Sequence, residues 1–342
     1  MRITALSEHF FQTFCDLFAP FSNLLYNIDK SNARTGCPSA EKRKNMKISP
    51  IFRQKKAVWS FEIFPPKPTA DPSAVQSTIA ELSALHPDYI SVTCSAGGSG
   101  NARTGEIASL VKSFGVEPLA HVTCINSDKP SVRAALSDLR ERGVENVLAL
   151  RGDRLPDRED SKDFAHASDL VGFIRSEGYE FDIAGACYPE GHPESKSLPE
   201  DIRNLKHKTD AGVSHLNTQL FFDNEDFYRF RDMLSIAGID VPVQAGVMPL
   251  VKKGHVDRII SLSGAKIPAK ISRMISRFYD RPEALMEAGI AYAVDQIVDL
   301  LSAGAQGIHL YVMNNPYVAK RITDSVQGIL NELNGAQNAD RP

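Results

Sequence analysis

The stretch VWSFEIFPPKP, Val58 to Pro68, decides the fold. Valine, tryptophan, phenylalanine and isoleucine dominate its first six residues, as in a buried β-strand, and two prolines end the run at once. An open doubly wound sheet would carry a phosphate-binding GxGxxG after its first strand, but here that position holds FPPK. The stretch therefore favours the other parallel α/β architecture, the closed (β/α)8 TIM barrel.

Further apolar runs follow along the chain, and helical patterns separate them. The predicted strands are VWSFEI (58–63), DYISVT (88–93), EPLAHVT (117–123), NVLAL (146–150), DIAGAC (182–187), HLNTQ (215–219), VPVQAGV (241–247) and GIHLYV (307–312). Strands that alternate with helices predict parallel βαβ units, and this number of strands closes a barrel. The connection over 248–306 is the longest, so we expect extra helical material between strands seven and eight.

The composition excludes several classes of protein. The chain of 342 residues is 42% hydrophobic and 24% charged, with a formal net charge of −3. It lacks the positive charge that binding to nucleic acid or a membrane surface would require, and no apolar run reaches the roughly 18 residues of a membrane span. The 5 cysteines are odd in number and lack CxxC spacing, which favours reduced thiols in a cytoplasmic protein.

Residues 1–45 differ from the rest of the chain, since scattered aromatics are followed by a polar, turn-rich stretch. Glu8 and His9 interrupt the apolar part, which therefore lacks the compact apolar region of a signal peptide. An appended helix, a weak targeting segment and upstream codons wrongly included in the gene are alternatives. We expect a poorly ordered extension over 1–45, a barrel over 46–335 and a disordered tail over 336–342.

Polar residues stand at the carboxyl ends of most of the predicted strands, where a (β/α)8 barrel carries its chemistry. They are Glu62, Thr93, His121, the run Arg151-Gly152-Asp153, Tyr188 with His192, Gln219 and Tyr311. A single histidine or glutamine at a strand end is more often structural than catalytic. Because these ends converge on one mouth of a barrel, their recurrence predicts a functional site there.

Three loops leave their interpretation open. LALRGDR (148–154) offers Arg151 to a phosphate or another anion, or an Arg151–Asp153 pair that closes a turn. CYPEGHPES (187–195) places His192 among acids, but its spacing matches no zinc signature, so we expect no metal. SAGGSGNARTG (95–105) lacks the Lys-Ser/Thr of a P-loop and predicts a tight turn before a helix.

Together, several motifs resemble one enzyme family. FEIFPPK, ISVTCSAGGSG, LAHVTC, LALRGD, CYPEGHPES, NTQLFFD and GVMPL, in this order, are similar to methylenetetrahydrofolate reductase of the bacterial type, which has only the catalytic domain. The resemblance runs from about Trp59 to about Tyr317. It implies a flavin-dependent (β/α)8 barrel that converts 5,10-methylenetetrahydrofolate to 5-methyltetrahydrofolate. It also implies FAD as cofactor, NAD(P)H as electron donor, ping-pong hydride transfer and a homo-oligomer.

The resemblance also assigns roles to individual residues. Glu62 matches the general acid, Asp153 the carboxylate near the flavin ring, Gln219 a residue that contacts folate and nicotinamide, and Tyr311 a residue near the substrate. Positions that match flavin contacts are Thr93, His121, Arg151, Gly152, Asp153, His166, Ala167, Tyr188, His192, Asp201, Asn204 and Lys208.

The chain departs from the family pattern at two places. Thr93-Cys94-Ser95-Ala96 stands where the family often reads TYGA. An aromatic that often follows the GxxP segment is not evident in GVMPLVKKGH, where Lys252 and Lys253 occur instead. A flavin- or pterin-binding barrel subunit that needs a partner protein for activity is therefore the alternative. The chain ends near the last helix of the barrel, so inhibition by S-adenosylmethionine is not expected.

The resemblance implies that two carboxylates have different roles in the reaction. Phe61, Phe64 and the two prolines would favour the protonated form of Glu62, which could then protonate N10 of the substrate. The alternative is a buried glutamate paired with a basic partner. Asp153 would oppose negative charge on the reduced flavin and so favour hydride transfer to the folate.

Overall fold

The computed structural model describes residues 46–66, 71–94, 100–154, 159–254 and 265–335. The predictions for 1–45 and 336–342 lie outside these residues. So do the first half of the glycine-rich segment, 95–99, and the whole of the helical pattern VDRIISLSG, 256–264.

The strands form a closed parallel barrel, which confirms the predicted fold. They are β1 (Val58–Ile63), β2 (Tyr89–Val92), β3 (Glu117–Thr123), β4 (Asn146–Leu150), β5 (Asp182–Cys187), β6 (His215–Thr218), β7 (Val243–Val247) and β8 (Gly307–Tyr311). Each strand pairs in parallel with the next in sequence, and β1 pairs with β8 to close the barrel. The predicted strands were right to within a residue or two at each end.

Helices separate the strands and surround the barrel. Within the described residues they are α1 (Ile51–Gln54), α2 (Pro72–Ser83), α3 (Gly100–Ser113), α4 (Lys129–Glu141), α5 (Ala167–Ser176), α6 (Leu198–Asp210), α7 (Asn224–Ile236), α8 (Ala269–Phe278), α9 (Pro282–Ser302) and α10 (Pro316–Gly335). Because α8 precedes α9 between β7 and β8, the prediction of extra helical material there is confirmed.

Local sequence sets where several helices begin. The side chains of Asp71, Asp128 and Ser197 each accept a hydrogen bond from a backbone N–H in the first turn of the helix that follows. Each of these caps is followed by a proline at one of the first two helical positions. Such a proline costs nothing there, since its missing N–H has no partner within the helix.

Alternation along β1 separates the core from the barrel interior. Trp59, Phe61 and Ile63 are buried in the main hydrophobic core between strands and helices. Ser60 and Glu62 point the opposite way, into the barrel, because successive side chains of a strand face opposite sides. Both are buried. The acid among the apolar residues of β1 therefore belongs to the interior of the barrel.

Residues just before β1 close the amino-terminal end of the barrel. Ile48 and Ile51 are buried against Tyr89 and Leu119, which lie in the early parts of their strands. The backbone N–H of Ile48 donates to Oδ1 of Asn146 at 2.9 Å. With this end filled, the carboxyl ends of the strands are left as the mouth of the barrel.

Candidate active site

One cavity of about 440 Å³ lies at the carboxyl ends of β4 and β5 and against α5 and α6. This volume lies within the usual range for small-molecule sites. The predicted flavin contacts that line it are Arg151, His166, Ala167, Tyr188, His192, Asp201, Asn204 and Lys208. Thr93, His121, Gly152 and Asp153 do not line it. The structure thus brings most of the predicted cofactor residues to one place.

Arg151 pairs with Glu194, a residue that the sequence did not single out as a partner. Its guanidinium donates to the two carboxylate oxygens of Glu194 at 2.6 and 2.7 Å. These hydrogen bonds lower the pKa of Glu194 to about 2. The interpretation of Arg151 and Asp153 as a pair that closes a turn is therefore wrong, since the acid that holds Arg151 belongs to the loop after β5.

Gly152 and Asp153 continue from Arg151 toward solvent. Gly152 has a φ of +86°, and a Cβ at this position would lie 3.0 Å from the side chain of Thr123, so only glycine fits. Asp153 is exposed, and its backbone carbonyl accepts a hydrogen bond of 2.9 Å from Asn126. Burial raises the pKa of Tyr188 to about 12, and the charge of Asp153 adds to this effect. The charge of Asp153 thus reaches Tyr188, a residue that lines the cavity.

A half-buried cation, Lys208, and a buried acid, Asp201, line the cavity. Nζ of Lys208 donates to the backbone carbonyl of Ala186 at 2.7 Å, and burial lowers its pKa. The Asp201 carboxylate accepts hydrogen bonds of 3.1 Å from the backbone N–H of His192 and from the hydroxyl of Ser195. Asp201 thereby fixes the loop that follows β5.

Of the two predicted substrate residues, Gln219 lies beside this cavity and Tyr311 connects two strands of the barrel. Gln219 lines a second cavity of about 320 Å³, which shares Tyr188 and His192 with the first. Lys266 lines it too. The hydroxyl of Tyr311 donates to the backbone carbonyl of Thr218 at 2.7 Å and so joins β8 to β6.

Glu62 lies inside the barrel between two imidazoles. Its Oε2 is 3.4 Å from Nε2 of His309 and 3.5 Å from Nε2 of His121. Phe61 faces the outer core and Phe64 is 38% exposed. The prediction that these two residues give the Glu62 carboxyl apolar surroundings is therefore wrong. Burial lowers the pKa of His121 to about 4, and this ring is therefore uncharged near neutral pH.

The remaining predicted residue, Thr93, is buried at the end of β2. Its backbone carbonyl accepts a hydrogen bond of 3.1 Å from the hydroxyl of Thr104 in α3. Thr93 follows Ser91 by two residues, and Ser91 Oγ lies 2.7 Å from Nε2 of His121. His121 thus contacts Glu62 rather than the cavity, and Thr93 lies on the neighbouring strand end.

An aromatic side chain that the sequence reading did not find lies beside Lys253. Nζ of Lys253 is 3.9 Å from the centre of the Tyr279 ring and 3.1 Å from Oδ1 of Asp280. Tyr279 packs against a cluster that also includes Met248 and Tyr311, which follow β7 and end β8. An aromatic ring is therefore present near this part of the mouth, although it comes from the end of α8.

Among the residues that the structure describes, no group of three or more His, Cys, Asp or Glu side chains is arranged to hold a metal ion. Of the helices in the same residues, none is long and apolar enough to cross a membrane.

Comparison with known proteins decides the family. The model of the methylenetetrahydrofolate reductase family matches residues 47–327. The chain belongs to this family. Two relatives, the 5,10-methylenetetrahydrofolate reductases of Pectobacterium carotovorum subsp. carotovorum and Escherichia coli (strain K12), are each 36% identical over 256 residues. The matched region is 75% of this chain and 85% or 86% of those relatives.

Longer members and a solved structure extend the comparison. Methylenetetrahydrofolate reductase 1 of Schizosaccharomyces pombe is 33% identical over 285 residues, or 82% of this chain, which match 47% of that relative. A solved protein from Clostridium thermocellum, described as binding two copies of 5-methyl-5,6,7,8-tetrahydrofolic acid, has a TM-score of 0.57 at 13% identity. It covers 82% of this chain and 98% of its own, and at this identity it shows the fold alone.

Proposed function

We propose that this chain reduces 5,10-methylenetetrahydrofolate to 5-methyltetrahydrofolate with NAD(P)H as electron donor and FAD as cofactor. Membership of the methylenetetrahydrofolate reductase family supports the reaction. The observation that carries the proposal is the cavity at the ends of β4 and β5, which gathers most of the predicted cofactor residues.

The chemistry of this cavity fits FAD. Arg151 and the half-buried Lys208 supply positive charge for a diphosphate. Asp201 and Asn204 offer polar groups to hydroxyls of the cofactor, and Ala167 stands at the first turn of α5, where backbone N–H groups favour anions. When bound, FAD would accept a hydride from NAD(P)H and supply a hydride to the folate in a ping-pong sequence.

The protein would supply the proton and the electrostatic bias. Glu62 gives its proton to N10 of the substrate, and the electron pair of the O–H bond stays on the carboxylate. The bond between N10 and the methylene carbon then breaks and leaves an iminium at N5. Asp153, which follows Arg151 and Gly152 after β4, would stabilise this cation. Hydride addition to the methylene carbon completes the methyl group.

Gln219 and Tyr311 would hold the substrate. Gln219 lines the second cavity, beside the one proposed for FAD. The Tyr311 hydroxyl is already bound to a backbone carbonyl, so it is the ring that would contact the substrate. A cytoplasmic location and a homo-oligomeric state stay predictions.

The test is anaerobic reduction of the purified protein. We expect it to be yellow, with a flavin spectrum that NADH or NADPH bleaches and 5,10-methylenetetrahydrofolate restores. A flavin that is bound but stays oxidised until another protein is added would support the alternative, a barrel subunit that depends on a partner. Protein that binds no FAD even after incubation with it would overturn the proposed function and leave only the pterin-binding form of the alternative.

A further inference from the structure

The carboxyl of Glu62 is held on one side only. Its Oε2 faces both imidazoles, at 3.4 Å from His309 and 3.5 Å from His121. Within the described part of the chain, Oε1 makes no hydrogen bond. Since Oε2 carries the protein contacts, Oε1 is the atom from which a proton can leave for a substrate.

The two imidazoles differ in their other contacts. Nε2 of His121, the atom that faces Glu62, lies 2.7 Å from the hydroxyl of Ser91 and is therefore already bound. His309 instead uses its two ring nitrogens separately. Nδ1 lies 2.7 Å from the hydroxyl of Ser60, and Nε2 faces Glu62 alone. His309 is thus the ring whose Nε2 can form its hydrogen bond with Glu62 alone.

A chain of hydrogen bonds behind Ser60 fixes which nitrogen of His309 carries the hydrogen. Nε2 of Gln244 lies 3.3 and 3.2 Å from the backbone carbonyls of Val58 and Ile308, which can only accept, so this atom must be the amide nitrogen. The hydroxyl of Tyr89 donates to the other end of the Gln244 amide, which agrees with this orientation. The amide has two hydrogens for three acceptors, and its shortest contact is the 3.1 Å one to Ser60 Oγ, so we assign one of the hydrogens to Ser60.

Ser60 must then direct its own hydrogen elsewhere. The choice is between Nδ1 of His309 at 2.7 Å and the carbonyl of Ile308 at 3.4 Å, and the shorter contact is the better hydrogen bond. With Nδ1 as acceptor, the neutral imidazole carries its hydrogen on Nε2. That hydrogen points at Oε2 of Glu62.

The position of the ring is also fixed by packing. His309 is 1% exposed, stacks on Tyr89 with ring centres 5.9 Å apart and meets the edge of Tyr311 at 5.3 Å. A ring held in this way cannot turn to exchange its nitrogens. Its hydrogen bond to Glu62 is therefore in place before a substrate arrives.

We propose that His309 is a positioning residue for Glu62: its Nε2–H donates to Oε2, orients the carboxyl group and stabilises the carboxylate as the proton leaves Oε1. The inference rests on the proposed role of Glu62 as the acid. A donor that strengthens its bond as negative charge develops on Glu62 accelerates the proton transfer itself. Removing it should slow the folate half-reaction and move its pH dependence upward, because the acid gives up its proton less readily.

The other titratable groups that face Glu62 would not create such a change. They are His121 on β3, Tyr89 on β2 and Tyr311 on β8. Burial raises the pKa of both tyrosines and lowers the pKa of His121 to about 4. None of the three changes charge near neutral pH.

Two substitutions separate the contact of His309 with Ser60 from its contact with Glu62. Asparagine reaches only as far as Nδ1 of histidine, so His309→Asn keeps a partner for Ser60 and loses the contact with Glu62. Glutamine reaches as far as Nε2, so His309→Gln keeps a donor toward Glu62. His215→Asn is the matched control, because His215 is also buried inside the barrel, on β6, and does not touch Glu62.

The experiment is rapid mixing of the reduced protein with 5,10-methylenetetrahydrofolate across a range of pH. In His309→Asn we expect the rate to fall about tenfold and the midpoint of its decline with rising pH to move up by about one unit, the loss of one hydrogen bond to a charged group. His309→Gln should lie between this variant and the parent. His215→Asn should keep the midpoint of the parent, and flavin reduction by NADH should change in none of them.

Several outcomes would overturn the inference. One is a midpoint in His309→Asn equal to that of the parent, and another is an equal loss in both half-reactions. If His309→Asn fails to fold, the ¹⁵N chemical shifts of the His309 ring in the parent protein still test the proposal, because they report which ring nitrogen carries the hydrogen. A hydrogen on Nδ1 would contradict the proposal. Should Glu62→Gln leave the folate half-reaction intact, the role of Glu62 is wrong. If Glu62→Gln abolishes it while His309→Asn behaves like His215→Asn, only the role of His309 is wrong.

Discussion

The guanidinium of Arg151 donates two hydrogen bonds, of 2.6 and 2.7 Å, to the carboxylate of Glu194. This pair connects the end of β4 with the loop after β5, at the edge of the cavity that we assign to FAD. Glu194 holds the guanidinium in place. It also neutralises the positive charge that Arg151 would otherwise offer to a phosphate of the cofactor.

Arg151→Gln and Glu194→Gln separate these two effects on FAD binding. Both substitutions remove the ion pair, but only the first removes the cation. We expect Arg151→Gln to weaken FAD binding at least about tenfold, the usual loss of a charge-assisted hydrogen bond, and Glu194→Gln to keep or strengthen it. Titration of the apoprotein with FAD measures both. Equal weakening by the two changes would show that the ion pair matters only for the loop structure.

The same pair makes a small contribution to stability that depends on pH. The pKa of Glu194 is lowered from 4.5 to about 2 in the folded protein, so the stabilisation is complete above about 4.5 and is lost as the pH falls toward 2. Because the Glu194 side chain is 49% exposed, we expect less than about 1 kcal/mol. Urea unfolding of the parent and of Glu194→Gln should show this difference at pH 6 and none near pH 2. A difference that stays constant down to pH 2 would contradict the assignment.

Asp153→Asn tests the carboxylate near the flavin. The change keeps the shape of the side chain and removes its charge. We expect a higher reduction potential of the bound FAD, and a folate half-reaction that slows more than flavin reduction by NADH. Asp160→Asn is the control, since Asp160 is an exposed acid that pairs with Arg154. An unchanged potential in Asp153→Asn would place this carboxylate too far from the flavin ring to act on it.

Removal of residues 1–45 tests the amino-terminal boundary of the barrel. We expect the shortened protein to stay folded and to keep its FAD, since Met46 and Ile48, which it retains, contact Asn146 at the closed end of the barrel. In contrast, Ile48→Ala should lower the free energy of unfolding by about 2–5 kcal/mol, because Ile48 is fully buried. Insoluble or colourless protein after removal of 1–45 would show that the segment belongs to the fold.

The barrel could be predicted from the sequence because each strand is a short apolar run between turns. A fully parallel sheet is covered on its outer face, so its strands read as nearly continuous hydrophobic segments. The strand-end residues of one site could be predicted for the same reason, since the topology alone brings those ends together. The family motifs then assigned roles that no single strand end could have shown.

Contacts between distant residues could not be predicted in this way. Glu194 lies 43 positions from Arg151, and nothing in either motif marks the two as partners. Tyr279 reaches Lys253 through the inserted helix α8, whose packing no local pattern reveals. His309 could have been found, because it lies two residues before Tyr311 and so faces the same side of β8. His309 was missed because it lies inside the strand and not at its end.

The central claim is that Glu62 is the acid of the folate half-reaction and has no part in the transfer of hydride from NADH. Glu62→Gln keeps size and hydrogen bonding but cannot give up a proton in the same way. General acid catalysis is typically worth about 10²–10⁴-fold.

Rapid mixing of Glu62→Gln with each substrate in turn is the most direct measurement. The rate of folate reduction should fall by at least about 10²-fold, while flavin reduction by NADH should stay within about tenfold of the parent. If both half-reactions slow equally, or if the variant cannot fold or hold FAD, Glu62 is a structural residue of the barrel interior and the central claim is wrong.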